Sequence, residues 1–260
     1  MIPIRITAPT RYPAFVTWSL IAVNCAVFFV QLGLTPAELE LFLLRFALIP
    51  ARYSQPFAYG DLDLMPGDFV PFITMMFLHG GWLHLILNMW MLWLFGPAIE
   101  DRMGYGRFLL FYLGCGIAAS LAHFASDPYS AVPAVGASGA IAGVMGCTMA
   151  LLPLSRVIVV VPILFLPLFF EVYAVVFIGI WFLLQILQGT VALLEPTEGG
   201  VAWWAHVGGF VAGLLIGPLL RRPERGYRSY QPDEGILGFD TLGRRQMHGP
   251  ASIPFHRSAA

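Results

Sequence analysis

The sequence predicts an all-α membrane protein, a bundle of six transmembrane helices. Two features of the composition support this: 58% of the 260 residues are hydrophobic, and only 11% are charged. A soluble domain carries about 25% charged residues, so this chain has too few charges to cover a water-facing surface of its size. The net charge of −1 provides no general basic surface for nucleic acid, whereas the mean hydropathy of +0.76 favours a lipid bilayer as partner.

Six apolar runs define the predicted spans. A helix needs about 20 apolar residues to cross the bilayer core. The runs close to this length are residues 14–32, 82–99, 108–125, 136–152, 172–194 and 201–220. The stretch 157–170 is also apolar, but Pro153, Pro162 and Pro167 interrupt it, and proline breaks helices. We therefore expect a connecting segment there, at the membrane surface or partly buried, and no seventh span.

The spans make one membrane domain, residues 14–220. Residues 1–13 form a polar segment without the pattern of a cleaved signal peptide. Residues 221–260 are rich in Pro, Gly, Arg and Ser, which predicts a disordered cytoplasmic tail. With six spans both termini lie on one side, and that side holds most arginines: Arg5, Arg11, Arg102, Arg107, Arg156, Arg221, Arg222 and Arg225, against Arg45 and Arg52 opposite. Because arginine-rich loops stay in the cytoplasm, we expect both termini there.

Four polar residues lie just inside the outer ends of the even-numbered spans. His84 and Asn88 share one face of span two, Ser138 lies near the start of span four, and His206 lies near the start of span six. At about 1.5 Å per residue, all four reach a similar depth. Polar side chains inside a span are costly and are functional candidates by default. We therefore expect these three helices to form one site.

The residue types in this layer suit acyl transfer. A serine hydroxyl becomes an effective nucleophile when a histidine takes its proton, and the developing oxyanion needs fixed hydrogen-bond donors. No carboxylate lies at this depth in the three spans, so we expect a dyad of Ser138 and His206. Glycines at four-residue spacing would let spans four and six approach closely: Gly139, Gly143, Gly209, Gly213 and Gly217.

Four short strings together resemble the rhomboid family of intramembrane serine proteases. They are residues 79–88 (HGGWLHLILN), 96–102 (GPAIEDR), 136–139 (GASG) and 205–209 (AHVGG). Each string alone is weak. All four in order, at matching ends of spans two, four and six, are specific, and the resemblance extends over residues 14–220.

The resemblance implies a role for each site residue. Ser138 would be the nucleophile and His206 the general base. His84, Asn88, Gly136 and the backbone of Ser138 would form the oxyanion and substrate-binding site. Substrates would be single-span membrane proteins cut near the outer face beside a small residue, and no metal or cofactor is implied. Span five and the loop before span six would act as gate and cap.

Two departures from the family pattern stand out. The first long loop has no Trp-Arg pair, which part of the family carries. Ala142, four residues after Ser138, stands where some members have an aromatic residue that packs on the catalytic histidine. The packing around His206 is therefore expected to be built differently here.

Other functions stay open as alternatives. A zinc protease using His79, His84 and His206 would be expected to carry H-E-x-x-H on a helix, and the chain has no such string. A rhomboid-like, non-catalytic client-binding protein would lack one or both dyad residues. A transporter would be expected to show inverted repeats and broken helices with midplane charges, and neither is evident. The short tails suggest a bacterial cytoplasmic membrane; the sequence defines neither the substrate nor the oligomeric state.

Alternatives also stay open for single residues. Asn88 could hold helices together without a catalytic part, and His79 could be structural. Glu100 and Arg102 suggest a local ion pair at a helix end, whereas the role of Glu171 is undecided.

Overall fold

The structure, a computed structural model, describes residues 2–59, 65–163, 166–194 and 202–222. The tail predicted to be disordered lies outside these ranges from residue 223 onwards. The loop expected to form a cap before the sixth span also lies outside them.

The described residues are mostly helical. The helices are α1 (Phe15–Gly33), α2 (Pro36–Phe46), α3 (Pro50–Ser54), α4 (Pro71–Thr74), α5 (Trp82–Met103), α6 (Tyr105–Ser126), α7 (Ser138–Leu151), α8 (Ala174–Leu194) and α9 (Trp203–Leu220). Five of them, α1, α5, α6, α8 and α9, are long and apolar enough to cross a membrane, and α7 is apolar but shorter. These six helices stand where the sequence predicted six spans, so the predicted membrane bundle is confirmed.

Helix α7 is short because it begins inside the bundle. Its 14 residues rise only about 20 Å, less than the roughly 30 Å of a hydrocarbon core. The loop before it is tied to the long connection between α1 and α5. Leu48 and Ala134 exchange two backbone hydrogen bonds, and the amide of Gly136 donates to the carbonyl of Met75 at 2.9 Å. The predicted span four therefore starts two residues late, at Ser138.

Glycines bring α7 and α9 into backbone contact. A Cβ on Gly209 would collide with the carbonyl oxygen of Gly139, and a Cβ on Gly213 would collide with that of Gly143. In lipid there is no hydrophobic driving force between helices, so the close van der Waals packing of such small-residue faces holds them together. The close approach predicted for spans four and six is therefore present, and α7 is the most enclosed helix: residues 139–148 are all buried.

The structure contains a three-stranded antiparallel sheet that the sequence did not predict. It has the order β1 (Ile2–Ile6), β2 (Arg156–Ile163) and β3 (Leu166–Tyr173). The segment expected to be a simple connection is thus a β-hairpin, in keeping with its run of β-branched residues.

The sheet also revises the boundaries at both of its ends. Span five begins at Ala174 instead of residue 172, because β3 continues to Tyr173. Glu171 therefore belongs to the sheet, where its carboxylate pairs with Arg156 at 2.6 Å. The N-terminal segment contributes β1, and the indole N–H of Trp90 on α5 donates to the carbonyl of Pro3 at 2.7 Å. The first residues of the chain therefore pack on the bundle.

The end of α5 that carries Glu100, Asp101 and Arg102, here called the anchor end, holds the start of α1. The buried carboxylate of Glu100 accepts hydrogen bonds from the amides of Val16 (2.8 Å) and Thr17 (2.7 Å). It also accepts from the Thr17 hydroxyl at 2.6 Å. The first amides of a helix have no partner within it, so Glu100 caps α1.

The rest of the anchor end is also well hydrogen-bonded. Asp101 accepts from the amides of Arg11 and Tyr12, both at 3.0 Å, and Arg102 donates to the carbonyl of Ala98 at 2.7 Å. The sequence suggested a local ion pair of Glu100 with Arg102. In the structure Glu100 does anchor a helix end, but the helix is α1.

Candidate active site

Ser138 and His206 meet at the end of the bundle opposite the anchor end. Ser138 is the first residue of α7 and His206 the fourth of α9. The distance from Ser138 Oγ to His206 Nε2 is 2.7 Å. The glycine contacts between α7 and α9 allow this distance, since bulkier side chains would hold the two helices apart. We call the layer formed by Ser138, His206, His84 and Gly136 the site end.

The second ring nitrogen of His206 has a partner on α8. Gln185 Oε1 lies 2.7 Å from His206 Nδ1, and both side chains are buried. The amide nitrogen of Gln185 donates to the carbonyl of Trp181 at 3.2 Å. Since a carbonyl can only accept, the amide oxygen must face His206, and Nδ1 must carry the proton. His206 Nε2 then presents a lone pair to the Ser138 hydroxyl, which is the form that a general base requires.

Gln185 was not singled out from the sequence. A glutamine within the apolar run 172–194 is a candidate by the rule for polar residues in spans, but Gln188 lies in the same run. Only Gln185 is buried; Gln188 is exposed on the same helix. The helix pattern alone could not tell which one faces α9.

Aromatic rings flank His206 from α8 and α9. The ring centroid of Trp181 lies 6.0 Å from that of His206, and the centroid of Trp203 lies 6.1 Å from it. Ala142 of α7 is fully buried and carries no ring. The expectation that the surroundings of His206 are built differently therefore has a structural counterpart, because α8 supplies the contacts that α7 lacks.

His84 presents a hydrogen-bond donor towards the loop before α7. The amide of Gly80 donates to His84 Nδ1 at 3.3 Å. A backbone N–H can only donate, so Nδ1 is unprotonated and Nε2 carries the proton of the neutral ring. His84 Nε2 lies 2.7 Å from the position that a Cβ of residue 136 would occupy.

Gly136 lets the His84 ring approach the start of α7, because a Cβ at this position would collide with the ring. The Cβ position of residue 136 is 3.5 Å from Ser138 Oγ, and the φ of Gly136 is +128°, which L residues rarely adopt. The His84 ring therefore lies against Gly136 and near Ser138, where its Nε2–H is a candidate donor to a carbonyl oxygen bound at Ser138. The amide of Ser138, in the first turn of α7, is a second candidate donor.

Asn88 points along its own helix. Its side-chain nitrogen donates to the carbonyl of His84 at 2.9 Å, and among the described residues it makes no hydrogen bond to Ser138. One N–H of the amide remains for another acceptor. The structure therefore brings Ser138, His206, His84 and Gly136 together, and Asn88, one turn along α5 from His84, stays a candidate donor.

A glutamine on α1 holds the loop that carries Gly80. Gln31 accepts from the amide of His79 at 3.1 Å and donates to the carbonyl of His79 at 3.2 Å. The ring of His79 is buried without a hydrogen-bond partner among the described residues. Burial, with a smaller effect from His84, lowers its pKa to about 4. His79 is therefore a neutral packing residue, and the two hydrogen bonds from Gln31 hold its backbone in place.

Comparison with known proteins identifies the family. A family model described as the rhomboid domain matches residues 66–223. Rhomboid protease GluP of Bacillus subtilis is 45% identical over 83 residues, which are 32% of this chain and 16% of that protein. Putative rhomboid protease YdcA of the same species is 41% identical over 86 residues, 33% of this chain and 43% of that protein.

A plant relative matches a longer stretch. RHOMBOID-like protein 5 of Arabidopsis thaliana is 30% identical over 177 residues, which cover 68% of this chain and 52% of that protein. The matched part is thus less than two thirds of the length of each of these three relatives. The rhomboid model itself covers more than half of this chain, including every residue of the site end. This integral, multi-pass membrane protein therefore belongs to the rhomboid family.

Proposed function

We propose that this chain is an intramembrane serine endopeptidase that cuts single-span membrane proteins in or near their transmembrane helix with a dyad of Ser138 and His206. The observation that carries the proposal is the 2.7 Å distance from Ser138 Oγ to His206 Nε2. It joins a nucleophile to a base whose tautomer is already suitable. Names of relatives that include the word protease agree with this activity.

Acylation follows from the positions of the side chains. The Ser138 hydroxyl gives its proton to His206 Nε2 while Oγ bonds to the carbonyl carbon of the substrate. The carbonyl oxygen becomes an oxyanion, to which the His84 Nε2–H and the Ser138 amide can donate. His206 then returns the proton to the leaving amine as the peptide bond breaks.

Deacylation repeats the same steps with water. His206 takes a proton from the water, the oxygen attacks the acyl carbon of Ser138, and the proton returns to Oγ as the ester bond breaks. The described part of the site shows no carboxylate within hydrogen-bond reach of His206. The site therefore works as a dyad in which an amide takes the place beside Nδ1.

The site end is proposed to face the outside of the cell. Arg102 and Arg107, at the junction of α5 and α6, lie at the anchor end, together with Arg156 after α7. Arginine is typical of the cytoplasmic side, which supports a position of Ser138 towards the outer half of the bilayer. A bacterial cytoplasmic membrane is the proposed location, and the bilayer and a substrate helix are the proposed partners.

Cleavage of a single-span reporter by the purified full chain tests the proposal. Wild type is expected to cut, and Ser138→Ala and His206→Ala are expected to lose at least a thousandfold in kcat, since the dyad acts as a unit. Ser19→Ala, which changes an exposed serine of α1, is the matched control and should cut like wild type. Thermal unfolding in detergent shows whether each variant is folded.

A fluorophosphonate, which labels activated serines, makes the test independent of the reporter. Labelling of wild type at Ser138, and of neither dyad variant, supports the proposal. Folded dyad variants that still cut would refute it. A wild type that neither cuts nor becomes labelled would instead favour a non-catalytic, client-binding rhomboid.

A further inference from the structure

We propose that Gln185 is the positioning residue of this site, so that α8, through one amide, sets the tautomer and the orientation of the His206 ring. This inference rests on the proposed function and adds to it a residue that does not touch the reacting atoms. It also makes the state of the base depend on where α8 lies.

The geometry leaves Gln185 a single role towards His206. Its side-chain nitrogen donates a hydrogen bond to the carbonyl of Trp181, so its side-chain oxygen is the atom 2.7 Å from His206 Nδ1. Both residues are more than nine-tenths buried, with Gln185 5% and His206 8% exposed. At this depth the imidazole N–H relies on the protein for an acceptor, and a missing one is costly.

The tautomer matters because a neutral imidazole has two. With the proton on Nδ1, Nε2 accepts from the Ser138 hydroxyl, and proton transfer can begin. With the proton on Nε2, the ring would donate to Ser138 Oγ and could not act as its base. Gln185 stabilises the first form, and its amide oxygen still accepts from Nδ1 when the ring becomes an imidazolium during the reaction.

An uncharged acceptor suits the surroundings of His206. Among the described residues, the ionisable groups that act on it are His84 of α5 and His123 of α6. The contacts from α7 and α8 come from Ser138, Gln185 and Trp181, none of which carries a charge at neutral pH. The amide thus orients the ring without adding a charge to a buried site.

Helix α8 is the element whose position decides whether this contact exists. It is the least buried of the five long spans, and beside Gln185 it packs on α9 through the stacked rings of Phe182 and Phe210, 4.0 Å apart. A shift of α8 away from α9 removes the acceptor from Nδ1 while leaving Ser138 and the glycine contacts in place. The base is therefore complete only when α8 is docked.

Three variants of the full chain test the inference. Gln185→Leu removes the acceptor, Gln185→Glu keeps an acceptor and adds a charge, and Gln188→Leu makes the same chemical change on the exposed face of α8. The measurements are kcat and KM for the reporter from pH 5 to 9, and the rate at which a fluorophosphonate labels Ser138.

A positioning role predicts a specific pattern. Gln185→Leu should lower kcat and the labelling rate about tenfold to a hundredfold with little change in KM. Gln185→Glu should recover most of the activity at high pH, and its acid limb should lie at higher pH, because a carboxylate at Nδ1 stabilises the imidazolium. Gln188→Leu should match wild type in both rates.

Other outcomes overturn the inference. A folded Gln185→Leu with wild-type kcat, or an acid limb that does not move in Gln185→Glu, shows that Gln185 only fills space. If Gln185→Leu does not fold, Gln185→Glu decides by its pH profile. Cutting by Ser138→Ala would refute the proposed function itself, whereas loss of cutting in Ser138→Ala together with an unaffected Gln185→Leu would refute only the role of Gln185.

Discussion

The two ends of α5 carry polar clusters of opposite character. At the anchor end, Glu100 accepts three hydrogen bonds and Asp101 accepts two, all from the start of α1 and the segment before it. At the site end, His84 uses one ring nitrogen for the amide of Gly80, and its other nitrogen lies beside Gly136. The carboxylates of the anchor end accept hydrogen bonds that hold the fold together, whereas the Nε2–H of His84 stays available as a donor.

On the proposed function, this difference separates stability from catalysis within one helix. Buried polar groups stabilise a protein when every donor and acceptor is paired, as at Glu100. A catalytic donor must instead be held in place while remaining available for charge that appears only during the reaction. The contrast therefore predicts that changes at the anchor end affect unfolding and changes at the site end affect turnover.

The largest expected effect is that of Glu100→Leu on stability. The change leaves the amides of Val16 and Thr17 and the Thr17 hydroxyl without their buried acceptor, which costs about 4 kcal/mol in the free energy of unfolding. Denaturation of the purified protein in detergent measures this cost. Exposed Glu40 of α2 provides the control Glu40→Leu, which should change stability little.

The same variant also tests the separation of roles. Once corrected for the folded fraction, the kcat of Glu100→Leu should stay within about threefold of wild type, as for a residue remote from the chemistry. A kcat that falls in step with the loss of stability would contradict the division between the two ends.

The next effect is that of His84→Phe on turnover. Phenylalanine keeps a planar ring at this position but lacks the Nε2–H donor. Removal of one oxyanion donor lowers kcat about a hundredfold or more, equal to about 2.7 kcal/mol. Reporter cleavage measures it. His123→Phe on α6 is the matched ring change and should cost far less, and wild-type kcat in His84→Phe would exclude His84 as a donor.

The smallest effect is expected for Thr17→Val, which keeps the shape of the side chain. It removes one hydrogen bond to the Glu100 carboxylate while both amide bonds remain, so the free energy of unfolding should fall by about 1.5 kcal/mol. Thr190→Val on α8, whose hydroxyl bonds within its own helix, is the control. An unchanged stability of Thr17→Val would show that the hydroxyl adds nothing to the cap.

Much of the fold and most of the site could be predicted because both depend on local sequence. Long apolar runs specify spans, since each helix satisfies its own backbone hydrogen bonds in lipid. Ser138, His206 and His84 stand out because a polar side chain is rare in such a run. Asn88 stands out by the same rule, yet its orientation along α5 was not predictable, because that depends on which acceptor lies nearest.

Partners that are distant in sequence decided the rest. The strand β1 pairs with β2 across more than 150 residues, and although its isoleucines alternate with Pro3 and Arg5, nothing in these five residues identifies β2 as their partner. The same holds for Gln31, whose clamp on His79 spans 48 positions. In neither case does the local sequence pattern specify the distant partner.

The sequence by itself determined that this protein is a membrane bundle and which residues meet at one depth, because hydropathy and helical rise act along the chain. Only the tertiary structure decided how those residues are held: that α7 starts inside the bundle, that Glu100 caps α1, and that Gln185, not Gln188, faces His206. These contacts depend on the rotation and distance of packed helices, which follow from the fit of all side chains at once.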